Sequence, residues 1–259
     1  MMCGLPGSRK FAVLVLAWTN GRLAVARKTS EHRRMKISAI LALAACLLLA
    51  PGRVACCVET NNNFARWEKE ISAFEQGDRT NPPPKGALLF IGSSTIRLWK
   101  TLAQDFPGHH VMNRGFGGSE IVDSTHFAER VIFPYQPRMV FLRAGGNDLW
   151  AGKTIEQVFE DYKEFVTKVQ AKLPEAEIVF ISLSPSIARW KQADKEKALN
   201  KLIEDYAKKT PRLKYIETYD LPLGADGQPR AELFVSDKLH FNAEGYKVLA
   251  ERVRPFLPK

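Results

Sequence analysis

Three stretches of this chain carry continuous apolar runs with no polar alternation: "ALLFIG" (87–92), "RMVFL" (138–142, apolar after Arg138) and "EIVFISL" (177–183, apolar from Ile178 to Ile181). A strand with one wet face alternates apolar and polar side chains. One that is apolar throughout must be covered on both faces. Such strands belong to parallel sheets, and parallel neighbours need a crossover between them, usually a helix. The intervening segments have that character. Phe64, Trp67, Ile71 and Phe74 recur at helical spacing, and "NPPPKG" (81–86) stops that helix before the first strand. Thr154 and Gln157 form a capping-box pair, followed by Ile155, Val158, Phe159, Tyr162, Phe165, Val166, Val169 and Leu173 on one face. Leu199, Leu202, Ile203 and Tyr206 mark a further helix, and a last one opens after Asn242, a good N-cap. Two shorter strands are expected at "HHVMN" (109–113) and "LKYIET" (213–218), with a helix from Ile121 to Val131. The pattern predicts one α/β domain over residues 58–259. It is a three-layer α/β/α sandwich on a mostly parallel, five-stranded sheet, without internal repeats.

Residues 1–57 have a different grammar. Arg33, Arg34 and Lys36 precede "ISAILALAACLLLA" (37–50), the basic and apolar regions of an export signal, too short for a comfortable membrane span. Met35 is a candidate true start. Cleavage is expected near Ala55–Cys57, and the expected location is periplasmic or extracellular. In "RVAC" (53–56), Cys56 stands where a lipid anchor is attached, with Arg53 in the place usual for leucine. A retained anchoring helix is the alternative.

This leader also accounts for the charge. The net +10 suggests a nucleic-acid partner, but residues 1–57 hold nine Lys/Arg against one acidic residue. The rest holds 29 basic and 27 acidic residues, so no basic surface for a phosphate backbone is expected on the domain. All four cysteines, Cys3, Cys46, Cys56 and Cys57, lie in the leader, which leaves the domain without a disulfide framework or a cysteine metal site.

Ligands of open parallel sheets bind beyond the carboxyl ends of the strands. The loops there are unusual: Gly92-Ser93-Ser94; Asn113 through Gly118; Gly145-Gly146-Asn147-Asp148; and "SDKLHFN" (236–242) before the last helix. These residue types suit acyl transfer. A serine hydroxyl needs an imidazole to accept its proton, and the imidazole needs a carboxylate to fix its tautomer. The tetrahedral intermediate needs donors aimed at its oxyanion, from close-approaching glycine backbone or from an asparagine amide. Read from the residues alone, Ser93 and Ser94 are equal candidates for the nucleophile. His109 and His110 sit at a strand's entry end and His126 in a helix, and all three read as structural. Asp148 reads as ordering its own loop.

In this order the four stretches resemble the SGNH (GDSL-type) hydrolase family over residues 87–250. That resemblance implies a flavodoxin-like fold and ester cleavage without metal or other cofactor. It implies Ser94 as nucleophile, His240 as base and Asp237 as its orienting carboxylate. The oxyanion hole would come from the Ser94 and Gly118 backbone and the Asn147 side chain. Ser93 departs from the family's G-D-S, where an aspartate is usual. Arg114, Arg143 and Trp150 flank the motifs as candidate substrate contacts, with Trp190 near them. The expected activity is that of an exported serine esterase on short acyl groups, acetyl first, of a small molecule or glycan. The alternatives are an acyltransferase to a sugar hydroxyl and an inactive carbohydrate-binding protein on the same fold.

Overall fold

The computed structural model describes residues 63–259. The leader, its start, its cleavage site and Cys56 lie outside the described residues. The described residues open with a single 3-10 turn, Phe64–Trp67, running into α1 (Glu68–Thr80). It continues as β1 (Leu88–Gly92), α2 (Ser94–Arg97), α3 (Leu102–Asp105), β2 (Val111–Gly115), α4 (Ile121–His126), α5 (Ala128–Val131) and β3 (Met139–Arg143). Then follow α6 (Gly146–Trp150), α7 (Ile155–Lys172), β4 (Glu177–Ile181), α8 (Ala193–Ala207), β5 (Leu213–Ile216) and α9 (Ala243–Val253).

The five strands form one sheet in the order β2-β1-β3-β4-β5, every neighbouring pair parallel. This is the flavodoxin-like doubly wound order, with its crevice at the carboxyl ends of β1 and β3. Alternation along each strand sorts the core into two clusters. Leu89, Ile91, Val140, Leu142, Ile178 and Phe180 face one layer, with Ile71 of α1 and the apolar side of α7 and α8. Leu88, Phe90, Phe141, Val179 and Ile181 face the other, against Ile96, Leu102 and the Tyr246, Leu249 and Val253 side of α9. The inner strands β1, β3 and β4 are almost wholly buried because each has a helical layer on both sides, whereas the edge strands β2 and β5 carry polar residues.

The capping signals are met where they were read. Thr154 Oγ1 accepts from the Gln157 N–H at 3.2 Å and Gln157 Oε1 from the Thr154 N–H at 2.9 Å. Asn242 Oδ1 accepts from the N–H groups of Glu244 and Gly245. β4 and β5 each end two residues before the expected point, at Ile181 and Ile216, and two further differences lie nearer the site. The segment from Ile121 to Val131 is not one helix, because it breaks at Phe127. β2 starts two residues later than expected. His109 closes a turn on the Phe106 carbonyl after Gly108, and pairing with β1 begins only as His110 O accepts from the Leu88 N–H at 2.8 Å. Asn113 and Arg114 are therefore strand residues, and alternation sends their side chains to opposite faces.

Candidate active site

Gly92 ends β1 with φ +133°, and a Cβ there would lie 2.1 Å from the Arg143 carbonyl oxygen of β3. Glycine alone lets the chain turn this sharply beside its neighbour, so that Ser94 opens α2 at the carboxyl edge of the sheet. Two long-range contacts hold the short α2 in place. The Asn113 amide of β2 donates to the Ile96 carbonyl at 2.6 Å, and the Tyr246 hydroxyl of α9 donates to the Thr95 carbonyl at 2.9 Å. As the first helical residue, Ser94 carries a backbone N–H with no intrahelical acceptor.

His240 comes from the turn between the bridged residues Phe234 and Phe241. Asp237 organises that turn: its Oδ1 accepts from the N–H groups of Leu239 and His240 at 2.8 and 3.0 Å. Its Oδ2 lies 2.6 Å from His240 Nδ1, so an N–H at Nδ1 donates to the carboxylate and Nε2 is left as the basic nitrogen. The hydrogen bonds from His240 hold the Asp237 carboxyl down at about 2, although it is solvent-exposed. Ser93, Ser94 and His240 line one cavity of about 70 Å³, together with Asn147, Ser184 and Arg189. Asp237 stands behind the imidazole, outside that lining.

Asn147 opens onto the cavity from the first turn of α6, where Gly145 at φ +116° turns the chain off β3. Its Nδ2 donates to the Ser119 carbonyl at 2.9 Å, which joins it to the loop of Gly118. Gly118 itself is exposed, at φ +84°, above Trp67. Asp148 is fully buried, accepts from the Ile121 N–H at 3.1 Å and lies 3.3 Å from Lys153 Nζ. Burial pushes its carboxyl up to about 7.

The three flanking candidates part ways. Arg114 is not at the cavity. Alternation on β2 turns it into the α1 layer, where it bonds Asp78 at 2.6 Å and Tyr135 at 3.3 Å under the Phe74 and Tyr135 rings. It ties α1 to the sheet edge. Arg143 does line the cavity, but from beneath. It is buried, its guanidinium donating to the Ser182 carbonyl, to Thr218 Oγ1 at 3.1 Å and to Ser184 Oγ at 2.7 Å. Burial lowers it to about 10, which leaves it cationic at neutral pH. Trp150 is 56% exposed, with the Arg189 guanidinium 5.0 Å from its ring centroid, and lies outside the cavity lining. His126 stacks on Phe64 at 3.8 Å between centroids, and burial lowers its imidazole.

In the segment after β4, sequence reading named only Trp190, which lies outside the cavity lining, and missed the residues that form it. Ser184, Ser186, Arg189, Gln192 and Glu196 all line the cavity. The available signal was positional: "SLSPS" follows a strand whose carboxyl end borders β3. Among the described residues there is no cluster of three or more His, Cys, Asp or Glu placed to hold a metal ion.

Comparison with known proteins agrees with this architecture. The model of the GDSL-like lipase/acylhydrolase family matches residues 92–248. A solved structure from Streptococcus pneumonia, named as a candidate platelet activating factor, aligns with a TM-score of 0.67 at 18% identity, covering 75% of this chain and 94% of that one. A GDSL-like lipase from Bacteroides thetaiotaomicron aligns at 0.60 and 19% identity over 75% of this chain and 96% of that one. A catalytic mutant of an acetylxylan esterase from Geobacillus stearothermophilus aligns at 0.54 and 16% identity, covering 66% and 94%. No curated protein matches in sequence. Because the family match covers more than half of the chain and takes in the Ser93–Ser94 loop, both glycine-rich loops and the aspartate–histidine turn, the chain belongs to the GDSL-like lipase/acylhydrolase family, which makes it a carboxylic ester hydrolase.

Proposed function

We propose that this protein is an exported serine esterase that removes short acyl groups, acetyl first, by a Ser94–His240–Asp237 triad. The observation that carries the reading is that Ser94 and His240 line one small cavity, with Asp237 2.6 Å behind the imidazole. Ser94 Oγ attacks the ester carbonyl while His240 Nε2 takes its proton. Asp237, ionised at neutral pH, stabilises the imidazolium that forms. The Ser94 and Gly118 backbone N–H groups and Asn147 Nδ2 are the donors for the oxyanion. As the intermediate collapses, the C–O bond to the alcohol breaks and His240 returns the proton to the leaving oxygen. Water then attacks the acyl-serine with His240 again as base, releasing the acid and restoring Ser94.

A cavity of about 70 Å³ has room for a few water-sized groups, which supports a short acyl group. The likeness to an acetylxylan esterase supports the same choice and a glycan as the leaving side. In the test, Ser94→Ala should lose all but background turnover of 4-nitrophenyl acetate and all labelling by a fluorophosphonate probe, while keeping its far-UV circular dichroism. Full activity in that variant would move the nucleophile to Ser93. Wild-type rates should fall steadily from acetyl to octanoyl esters.

A further inference from the structure

The Asn147 amide is held at both ends. Nδ2 donates to the Ser119 carbonyl at 2.9 Å, and Oδ1 accepts from Arg189 Nη1 at 2.9 Å. The two ends of a carboxamide are alike in shape and opposite in role. A guanidinium only donates and a carbonyl only accepts, so this pair of partners allows a single orientation. In it, one Nδ2 hydrogen is spent on Ser119 and the second is left for the cavity. Arg189 comes from the connection between β4 and α8, forty-two residues away, and is held itself. Its guanidinium sits 5.0 Å from the Trp150 ring centroid and reaches the Gly146 carbonyl at 3.4 Å. Gln192, one turn further on, donates to the same carbonyl at 3.2 Å and to Glu196 Oε1 at 2.7 Å. The β4–α8 segment thus fastens the Gly146–Asn147 turn from the side away from Ser119.

We propose that Arg189 is the positioning residue of the oxyanion hole: by binding Asn147 Oδ1 it locks the amide with Nδ2 toward the reacting carbonyl and polarises that N–H. A cation on the amide oxygen draws electron density from nitrogen, and a more acidic N–H donates more strongly to a developing negative charge. The gain appears only as the oxyanion forms, so it belongs to kcat and not to ground-state binding. This inference rests on the reading of Asn147 as an oxyanion donor.

The test is a double-mutant cycle in the full chain, with Asn147→Ala, Arg189→Met, their combination and Arg189→Lys, read by steady-state hydrolysis of 4-nitrophenyl acetate. Asn147→Ala should lower kcat about 100-fold or more. Arg189→Met should lower kcat about tenfold or more with KM changed less than about twofold, and should add nothing in the Asn147→Ala background. Arg189→Lys keeps a donor for Oδ1 and should recover part of the loss, which a purely structural role would not require. Independent, additive losses would overturn the proposal, as would a rise in KM at unchanged kcat, the mark of a direct substrate contact. A normal kcat in Asn147→Ala would instead overturn the oxyanion assignment itself, so the two failures are separable. Thermal melts of all four variants separate lost function from lost fold, and Arg189→Lys keeps a cation beside Trp150 if the methionine variant unfolds.

Discussion

Asp237 shows how much one residue sets. Its two oxygens do different work: Oδ1 holds the turn through two backbone N–H groups, and Oδ2 holds the imidazole. Asp237→Asn keeps the shape, but the amide can present either end to Nδ1. Where its nitrogen faces the ring, Nδ1 must accept, which puts the proton on Nε2 and removes the base. We expect kcat for acetyl esters to fall by about 100-fold or more, with far-UV circular dichroism unchanged. The carboxyl sits at about 2, below its ordinary 3.8, so its favourable interaction with His240 is present above pH 3.8 and is lost as pH falls through about 2. Activity measured between pH 4 and 8 should therefore reflect no protonation of Asp237. Much of this was legible in the sequence, because aspartate and histidine three apart before a capped helix is a local pattern. The fate of Arg114 was not. It depended on which of two alternating strand positions it took, and β2 begins two residues beyond the point suggested by "HHVMN".

At the scale of elements, the short pieces of the site depend on the long ones. α2 has only four residues and cannot stand alone, so the Asn113 amide and the Tyr246 hydroxyl hold it from β2 and α9. The turn bearing His240 is likewise tied to α9 through Asn242. That side chain caps the helix with Oδ1, and its Nδ2 donates to the Glu232 and Phe234 carbonyls at 2.8 and 3.2 Å. Asn242→Ala leaves two helix N–H groups and two carbonyls without that partner. It should cost about 1–2 kcal/mol in urea unfolding, with kcat reduced as the His240 turn loosens. A loss of stability with kcat unchanged would show that the turn keeps its geometry without the cap. The cap itself could be read in advance, since asparagine before an apolar-periodic run signals a helix start. Its second pair of bonds could not, because Glu232 and Phe234 reach it only through the chain reversal at residues 234–241.

Across the whole molecule, the cavity brings charge into the interior. Glu196 of α8 is buried beside Gln192, with Arg143 and Arg189 nearby, and burial raises its carboxyl to about 7 from an ordinary 4.5. The sign here is opposite to that of Asp237. Between about pH 4.5 and 7 the folded state keeps a proton that the unfolded chain gives up, so stability falls as pH rises through that window and levels off above it. A shift of this size corresponds to an effect on the order of 3 kcal/mol over the window. Asp148, also raised to about 7 by burial, adds a slope of the same sign, so Glu196→Gln should shrink, without abolishing, the difference in urea-unfolding stability between pH 5 and pH 7.5. An unchanged difference between the two pH values would assign the slope to another group, Asp148 first. What the sequence by itself determined was what local order can carry: five strands, the longer helices between them, the caps at Thr154 and Asn242, and four motif loops at strand ends. Apolar runs, periodicity and cap residues are short-range signals, and each matched motif lies within a single loop. Only the tertiary structure decided that Arg114 braces α1, that Arg143 lies beneath the cavity, and that Arg189 grips the Asn147 amide from forty-two residues away. Those assignments depend on which strand lies beside which and where each crossover returns, and no stretch of neighbouring residues records that.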